Sequence, residues 1–139
     1  MVFLGAPPIE NSYYDHFQKY ELDYRLFFVF GSNLAGRHGA GAAKEALFKY
    51  GAIYGRGVGY QGQSFAIPTK SKSLKILSLP TIKGYVEDFI EETIYSGHKF
   101  YVTPIGTGLA GYKYEEIAPM FKGVINCWLP LVWKSYLEN

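Results

Sequence analysis

The stretch that decides the fold is FVFGSNLAGRHGAGAA, residues 28–43. Its first three residues end a run of apolar, aromatic and β-branched residues that begins at Tyr24, which is typical of a strand buried on both faces. Glycines follow as far as Gly41, and small apolar side chains then recur at helical spacing over Ala42–Leu47. The stretch therefore predicts a strand, a glycine-rich loop (loop one, Gly31–Gly41) and a helix over Ala40–Tyr50.

A second stretch, VTPIGTGLAGY at residues 102–112, has the same design. A predicted strand over Lys99–Ile105 leads into three glycines (loop two, Gly106–Gly111), and a short helix is predicted over Tyr114–Phe121. Apolar residues at helical spacing, with acids between them, predict an amphipathic helix over Tyr85–Tyr95. The other predicted strands are Tyr24–Phe30, Ser64–Ile67, Lys75–Leu79 and Val124–Leu129.

This order of elements predicts one α/β domain over residues 1–139, with a mixed, mostly parallel sheet and helices on both faces. Pro68 and Pro80 are expected to end the strands over Ser64–Ile67 and Lys75–Leu79. Residues 1–20 have no clear period and are expected to form an irregular arm. Gly51–Gly62 contains too many glycines for a regular element to be predicted there.

Composition narrows the function classes. Lys and Arg total 14 and Asp and Glu total 12, so the net charge is +2 and bulk charge does not favour nucleic-acid binding. Three histidines and one cysteine show no zinc-ligand spacing, so we expect neither a metal nor a cofactor. Cys127 lies in an apolar run and is expected to be a buried thiol. The chain shows no signal-peptide order and no long apolar run, which favours a cytoplasmic location.

Both loops follow strands directly, and ligands in open α/β sheets bind at the carboxyl ends of strands. Glycine lets a ligand approach backbone N–H groups, and the first N–H groups of a helix carry partial positive charge. The loops therefore predict one cleft for a phosphate-bearing anion, although each loop alone also fits an ordinary tight turn. Thr107 is expected to donate to a phosphate oxygen, and Tyr112 to close over a ribose or a base. The expected lining residues are Gly31, Ser32, Asn33, Leu34, Ala35, Gly36, His38, Gly39, Ala40, Gly41, Gly106, Thr107, Gly108, Leu109, Ala110, Gly111 and Tyr112.

Three side chains are candidates for catalysis: Lys70, Asn33 and His38. Asn33 is either a turn residue or a group that hydrogen-bonds a ribose hydroxyl or positions a water. His38 lies among glycines, with little packing available locally, so we expect its side chain to face ligand or solvent. Lys70 is either a solvated lysine beside Lys72 and Lys75, or a lysine at the cleft rim that neutralises a phosphate or acts as a nucleophile.

At these two loops the sequence resembles the macro domain superfamily. Members carry an Asn-Ala-Ala-Asn segment at a strand end and then a glycine-rich run into a helix, and Phe30–Asn33 followed by Gly36–Gly41 looks like that arrangement. Ile105–Gly111, followed by Glu115–Pro119, is similar to the Gly-Cys-Gly-Leu form of the branch that contains terminal ADP-ribose glycohydrolases. The similarity covers Arg25–Leu129 and extends to small phage and bacterial macro-like proteins.

The resemblance implies a three-layer α/β/α fold and an ADP-ribose-type ligand. By this analogy, loop one holds the distal ribose, near Asn33, and one phosphate, while loop two wraps the diphosphate. Lys70 matches the position of the nucleophilic lysine of the glycohydrolase branch. The acids that macro domains use elsewhere are replaced by Leu26, by Ala110 and by Ala42-Ala43-Lys44. These departures favour binding over hydrolysis.

The sequence therefore supports three hypotheses. The protein hydrolyses ADP-ribosyl derivatives, or it only binds and sequesters ADP-ribose or a related nucleotide, or it binds nucleic-acid ends through Lys70, Lys72 and Lys75. The expected partner is an ADP-ribose-type small molecule or an ADP-ribosylated macromolecule, and no membrane partner is expected.

Overall fold

A computed structural model describes residues 1–7 and 9–138. Its strands are β1 Val2–Leu4, β2 Ser12–Tyr14, β3 Tyr20–Leu22, β4 Leu26–Asn33, β5 Gly59–Gln61, β6 Ser64–Lys70, β7 Lys99–Val102 and β8 Cys127–Pro130. Six of them form one sheet in the order β2-β8-β7-β4-β6-β5, and only the β5–β6 pair is antiparallel. β1 and β3 form a separate parallel pair. The mixed, mostly parallel sheet agrees with the prediction.

Helices cover both faces of this sheet, as predicted. Phe28 and Phe30 of β4 pack against Ala43 and Ala46 of helix α1 (Gly41–Lys49) on one face. The intervening Val29 belongs to the larger core on the other face, under helix α2 (Leu79–Tyr95). The fold is therefore a three-layer α/β/α arrangement. The helical segments are α1 Gly41–Lys49, α2 Leu79–Tyr95, α3 Tyr114–Ile117, α4 Lys134–Leu137 and 3₁₀ helices at Ala118–Phe121 and Leu131–Trp133.

The segment before α2 differs from the prediction. Lys75–Leu79 forms no strand; residues 70–76 make a tight hairpin, closed by a single bridge between Lys70 and Ile76. α2 begins at Leu79 rather than Tyr85, because the Ser78 hydroxyl accepts the Thr81 N–H at 3.4 Å and caps the helix. Pro80 lies in the first turn, where no helical hydrogen bond is lost, so the prediction that it ends a strand was wrong. Pro68 does not end a strand either, because it lies inside β6, in register with Ser32 of β4.

Short strands occupy two regions that were predicted to be irregular. Within the first twenty residues, β2 pairs with β8 and becomes an edge strand of the main sheet. β5 lies inside the glycine-rich segment 51–62 and pairs with β6 on the opposite edge. β2 depends on a partner strand that is distant in the chain, and β5 depends on a partner that follows it after a tight turn. Neither segment has a strong strand pattern of its own, so neither strand was predicted.

Cys127 is fully buried on β8, as predicted, and burial raises the pKa of its thiol. Its Sγ lies 3.2 Å from the Ile125 carbonyl oxygen. Within residues 1–7 and 9–138, no helix is both long and apolar enough to cross a bilayer.

Phe89 of α2 lies in the centre of the larger core. The centroid of its ring is 5.0 Å from the ring centroid of Phe100 and 5.3 Å from that of Phe65. We expect Phe89→Ala to lower the free energy of unfolding by about 3–5 kcal/mol, because a fully buried ring leaves a cavity. Tyr95→Ala, in the same helix but 83% exposed, should change it by less than about 0.5 kcal/mol. Urea denaturation measures both. Equal effects of the two substitutions would contradict this description of the core.

Candidate functional site

Loop one and loop two lie side by side at the carboxyl ends of β4 and β7 and line one cleft of about 600 Å³. The two loops are in contact at Gly31, where an added Cβ would lie 3.4 Å from Ile105 Cγ2 and 3.7 Å from the Gly106 amide nitrogen, which is ordinary van der Waals contact. Loop two therefore packs directly on the end of β4. This cleft corresponds to the position predicted for the anion site, between the two loops.

The first turn of loop one is held by Asn33. Its Oδ1 accepts the Arg37 N–H at 2.9 Å, and its Nδ2 donates to the Arg37 carbonyl at 3.0 Å. The Gly36 N–H also donates to the Asn33 carbonyl, at 2.9 Å. Of the two interpretations of Asn33, the structure shows the turn residue, although its side chain also lines the cleft.

Two cationic side chains line the cleft. Lys70, at the end of β6, pairs in register with Asn33 of β4, and its carbonyl accepts the Leu34 N–H at 2.9 Å. Arg37 lies at the tip of loop one. Within the described part of the chain, neither side chain has a carboxylate partner within 4.0 Å. Of the two interpretations of Lys70, the position at the cleft rim is the one observed.

The His38 side chain is 1% exposed and does not line the cleft, so the expectation that it faces ligand or solvent was wrong. Its Nε2 lies 2.9 Å from the Arg56 carbonyl oxygen and 3.1 Å from Gln61 Oε1. Both atoms are acceptors, so Nε2 carries the proton and donates. The ring packs edge-on against Phe30. His38 therefore fastens loop one to the segment that precedes β5.

That segment, residues 53–57, touches loop one through its backbone. The Gly55 N–H donates to the Gly36 carbonyl at 2.9 Å, and the buried Ser32 hydroxyl donates to the Gly57 carbonyl. A Cβ on Gly36 or Gly57 would overlap backbone atoms of the facing segment. Two glycines thus permit a backbone-to-backbone contact that no other residue allows at this distance. We call residues 53–57 the strap.

Loop two differs from expectation at two side chains. The Thr107 hydroxyl donates to the Pro104 carbonyl at 2.8 Å, and the Tyr112 hydroxyl donates to the Leu77 carbonyl at 2.6 Å. Neither residue lines the cleft. The predictions that Thr107 donates to a phosphate and that Tyr112 closes over the ligand were therefore wrong. Gly106, with φ +77°, makes the turn, and Leu109 is 74% exposed at the loop tip.

The amino end of α1 opens onto the cleft. Its N-cap residue is Ala40, which provides no side-chain hydrogen bond, and the first i→i−4 bond runs from the Lys44 N–H to the Ala40 carbonyl. The N–H groups of Gly41, Ala42 and Ala43 therefore have no partner within the helix. Partial positive charge at this end adds to the charges of Lys70 and Arg37.

A smaller aromatic cavity of about 480 Å³ adjoins the cleft, and the two share Ala42, Thr103 and Pro104 as walls. Its rings include Tyr14 and Tyr101, which stack with centroids 4.3 Å apart. Burial raises the pKa of both phenols, so both stay neutral at physiological pH. The adjoining cavity therefore places aromatic rings, together with the charged side chains of Lys19, Glu45 and Lys49, beside the cleft.

The structure brings most of the predicted residues together and adds others. The expected residues that line the cleft are Gly31, Ser32, Asn33, Gly39, Ala40, Gly41, Lys70, Gly106, Gly108, Leu109 and Ala110. The expected residues that do not line it are Leu34, Ala35, Gly36, His38, Thr107, Gly111 and Tyr112. Residues that sequence reasoning missed are Arg37, Ala42, Ala43, Thr69, Leu74, Thr103, Pro104 and Ile105. Only Arg37 had a usable signal, as the single cation inside loop one.

Comparison with protein-family models finds no match, and comparison with curated proteins finds no significant one. Within the described residues, no group of three or more His, Cys, Asp and Glu side chains is arranged to hold a metal ion. The functional argument therefore depends on the geometry of the cleft.

The strap can be tested through Gly57. A Cβ at this position would overlap the Asn33 carbonyl oxygen and lie 3.0 Å from Leu34 Cα, both of them backbone atoms. We expect Gly57→Ala to lower the free energy of unfolding by about 1–3 kcal/mol. Gly84→Ala, inside α2 with open space around it, should instead raise it by about 0.5–1 kcal/mol. Thermal and urea unfolding distinguish the two signs, and a neutral Gly57→Ala would refute the close contact.

Proposed function

We propose that the protein binds ADP-ribose or a related ADP-ribosyl nucleotide in the cleft between loop one and loop two. The observation that carries the proposal is the convergence of two separate glycine loops with Lys70 and Arg37 on one cleft. Among the residues that the structure describes, none that lines this cleft carries a carboxylate. Its volume of about 600 Å³ suits a nucleotide-sized ligand.

The diphosphate is the part of the ligand that this lining fits best. Phosphate oxygens accept hydrogen bonds from backbone N–H groups at a helix start, which α1 offers at Gly41–Ala43. Gly108 has open space around its Cα, so the backbone of loop two is accessible from the cleft. Lys70 and Arg37 supply the neutralising charge, with Arg37 suited to a bidentate contact.

The sugar and the base fit the remaining surfaces. Asn33 and Lys70 are neighbours at the ends of β4 and β6, and the distal ribose is assigned to this corner. We assign the nucleobase to the aromatic cavity, where the half-buried ring of Tyr101, backed by the buried ring of Tyr14, offers an aromatic surface. The macro-domain resemblance likewise implies the distal ribose near Asn33 and the diphosphate at the two loops.

Hydrolysis is the second candidate function, and it depends on Lys70. The hydroxyls of Ser32, Thr69 and Thr103 all donate to backbone carbonyls, whereas the Lys70 side chain lines the cleft without a carboxylate partner among the described residues. The hydrolase hypothesis uses either water or the Lys70 amine as the nucleophile. A cytoplasmic location belongs to the same proposal, supported by the single buried cysteine, which suits a reducing compartment.

The binding proposal can be tested with Gly108→Glu. Gly108 lines the cleft, and a Cβ added there would have no atom within 4 Å, so the substitution adds bulk and negative charge at the phosphate position without a clash. We expect the affinity for ADP-ribose, measured by calorimetry, to fall at least about tenfold. Gly84→Glu, which also has open space but lies on α2, should bind as wild type does. No heat from wild type with ADP-ribose, its 1″-phosphate or NAD would overturn the proposal.

Lys70→Ala separates binding from hydrolysis. We expect about a tenfold loss of ADP-ribose affinity, because one charge-assisted hydrogen bond to phosphate is removed. If the protein is a hydrolase, the same substitution abolishes release of ADP-ribose from an ADP-ribosylated protein or nucleic acid, as followed by chromatography. Turnover equal to wild type would remove Lys70 from the mechanism. No turnover by wild type, with binding intact, would identify a non-catalytic module.

A further inference from the structure

The charge of this chain is distributed very unevenly. Residues 24–86 contain nine of the 14 basic residues but only one of the 12 acidic residues, Glu45. Two of the nine are neutralised locally, Arg25 by Asp23 at 2.6 Å and Lys49 by Glu45 at 3.6 Å. The other seven have no carboxylate within 4.0 Å among the described residues, and they are Arg37, Lys44, Arg56, Lys70, Lys72, Lys75 and Lys83.

Five of these cations lie on three segments that are joined at the carboxyl edge of β4 and β6. The strap contacts loop one through the Gly55–Gly36 hydrogen bond of 2.9 Å, and loop one contacts the end of β6 through the Leu34–Lys70 hydrogen bond of 2.9 Å. The hairpin that follows is closed by the Ser71 N–H on the Lys75 carbonyl at 2.8 Å. We call this surface the basic edge, and its cations are Arg37, Arg56, Lys70, Lys72 and Lys75.

Exposed apolar side chains are interleaved with these cations. Tyr54 of the strap is 63% exposed, two residues before Arg56. In the hairpin, Leu74 and Ile76 are 41% and 53% exposed, next to Lys75. Single-stranded nucleic acids are bound by this combination, in which cations track the phosphates and an aromatic ring stacks on a base. An acidic protein segment would use the cations but would leave Tyr54 without a partner.

We propose that the basic edge binds single-stranded nucleic acid, with the backbone over the hairpin and the strap and the terminal nucleotide in the cleft. The near-zero net charge of the chain does not oppose this, because attraction to a strand falls off within about a Debye length and depends on the local charge. The inference goes beyond ADP-ribose binding, since Tyr54, Arg56, Lys72 and Lys75 lie outside the lining of the cleft.

The test is fluorescence anisotropy with a labelled oligothymidylate of about twelve nucleotides. Five phosphate contacts to a single strand, one for each cation of the basic edge, predict a slope of about −3.5 for log K against log salt, which means about a 130-fold loss between about 50 and 200 mM salt. Lys72→Glu/Lys75→Glu removes two contacts, so the loss should shrink to about 20-fold, with weaker binding at low salt. Tyr54→Ala should weaken binding about tenfold.

Lys122→Glu/Lys134→Glu is the matched control, since it makes the same charge change outside residues 24–86, and it should bind the strand as wild type does. Equal losses in both double variants would overturn the proposal, as would a salt-independent affinity. Equal binding of polyglutamate, unaffected by Tyr54→Ala, would identify an acidic protein as the partner and would also overturn it. ADP-ribose calorimetry on Lys72→Glu/Lys75→Glu, which retains every cleft residue, reports on the proposed function separately.

Discussion

The parallel pairing of β4 on both sides is the constraint on which the rest of the structure depends. β4 is bonded to β6 from Phe28 to Asn33 and to β7 from Leu26 to Val29, so its carboxyl end cannot move without disturbing the centre of the sheet. Loop one leaves this strand, loop two leaves β7, and Lys70 ends β6. Three elements of the cleft are therefore positioned by one set of backbone hydrogen bonds, on rigid strands rather than on flexible connections.

Glycines then allow loop one and the strap to pack on each other without intervening side chains. A Cβ on Gly36 or Gly57 would overlap backbone atoms across this contact. His38, buried beneath, adds hydrogen bonds to Arg56 and Gln61. A loop fixed in this way presents its N–H groups in one arrangement, so little ordering remains to be done when an anion binds. Glycine content, which usually signals flexibility, here permits close contact.

The distribution of charge follows from the same topology. Residues 24–86 include β4 and both connections at the carboxyl ends of β4 and β6, so five of their nine cations lie at that edge, and two of the five, Arg37 and Lys70, line the cleft. The acids of α2, from Glu87 to Glu92, lie beyond the first two turns of that helix, and its first turns follow the hairpin. A chain with a net charge of +2 can therefore carry a locally basic surface, which composition alone does not reveal.

The sequence by itself determined the two strand–loop–helix units, the three-layer class, the buried thiol of Cys127 and the meeting of two glycine loops, because these depend on local periodicity and on the conformational freedom of glycine. It did not determine which side chains face the cleft. The buried His38 side chain donates to acceptors that are 18 and 23 residues away in the chain. The Tyr112 hydroxyl donates to a carbonyl that is 35 residues away, and its side chain does not line the cleft. β2 and β5 likewise exist only through their partner strands. Such contacts between distant residues leave no local pattern, so only the tertiary structure decided the lining of the cleft and the position of its cations.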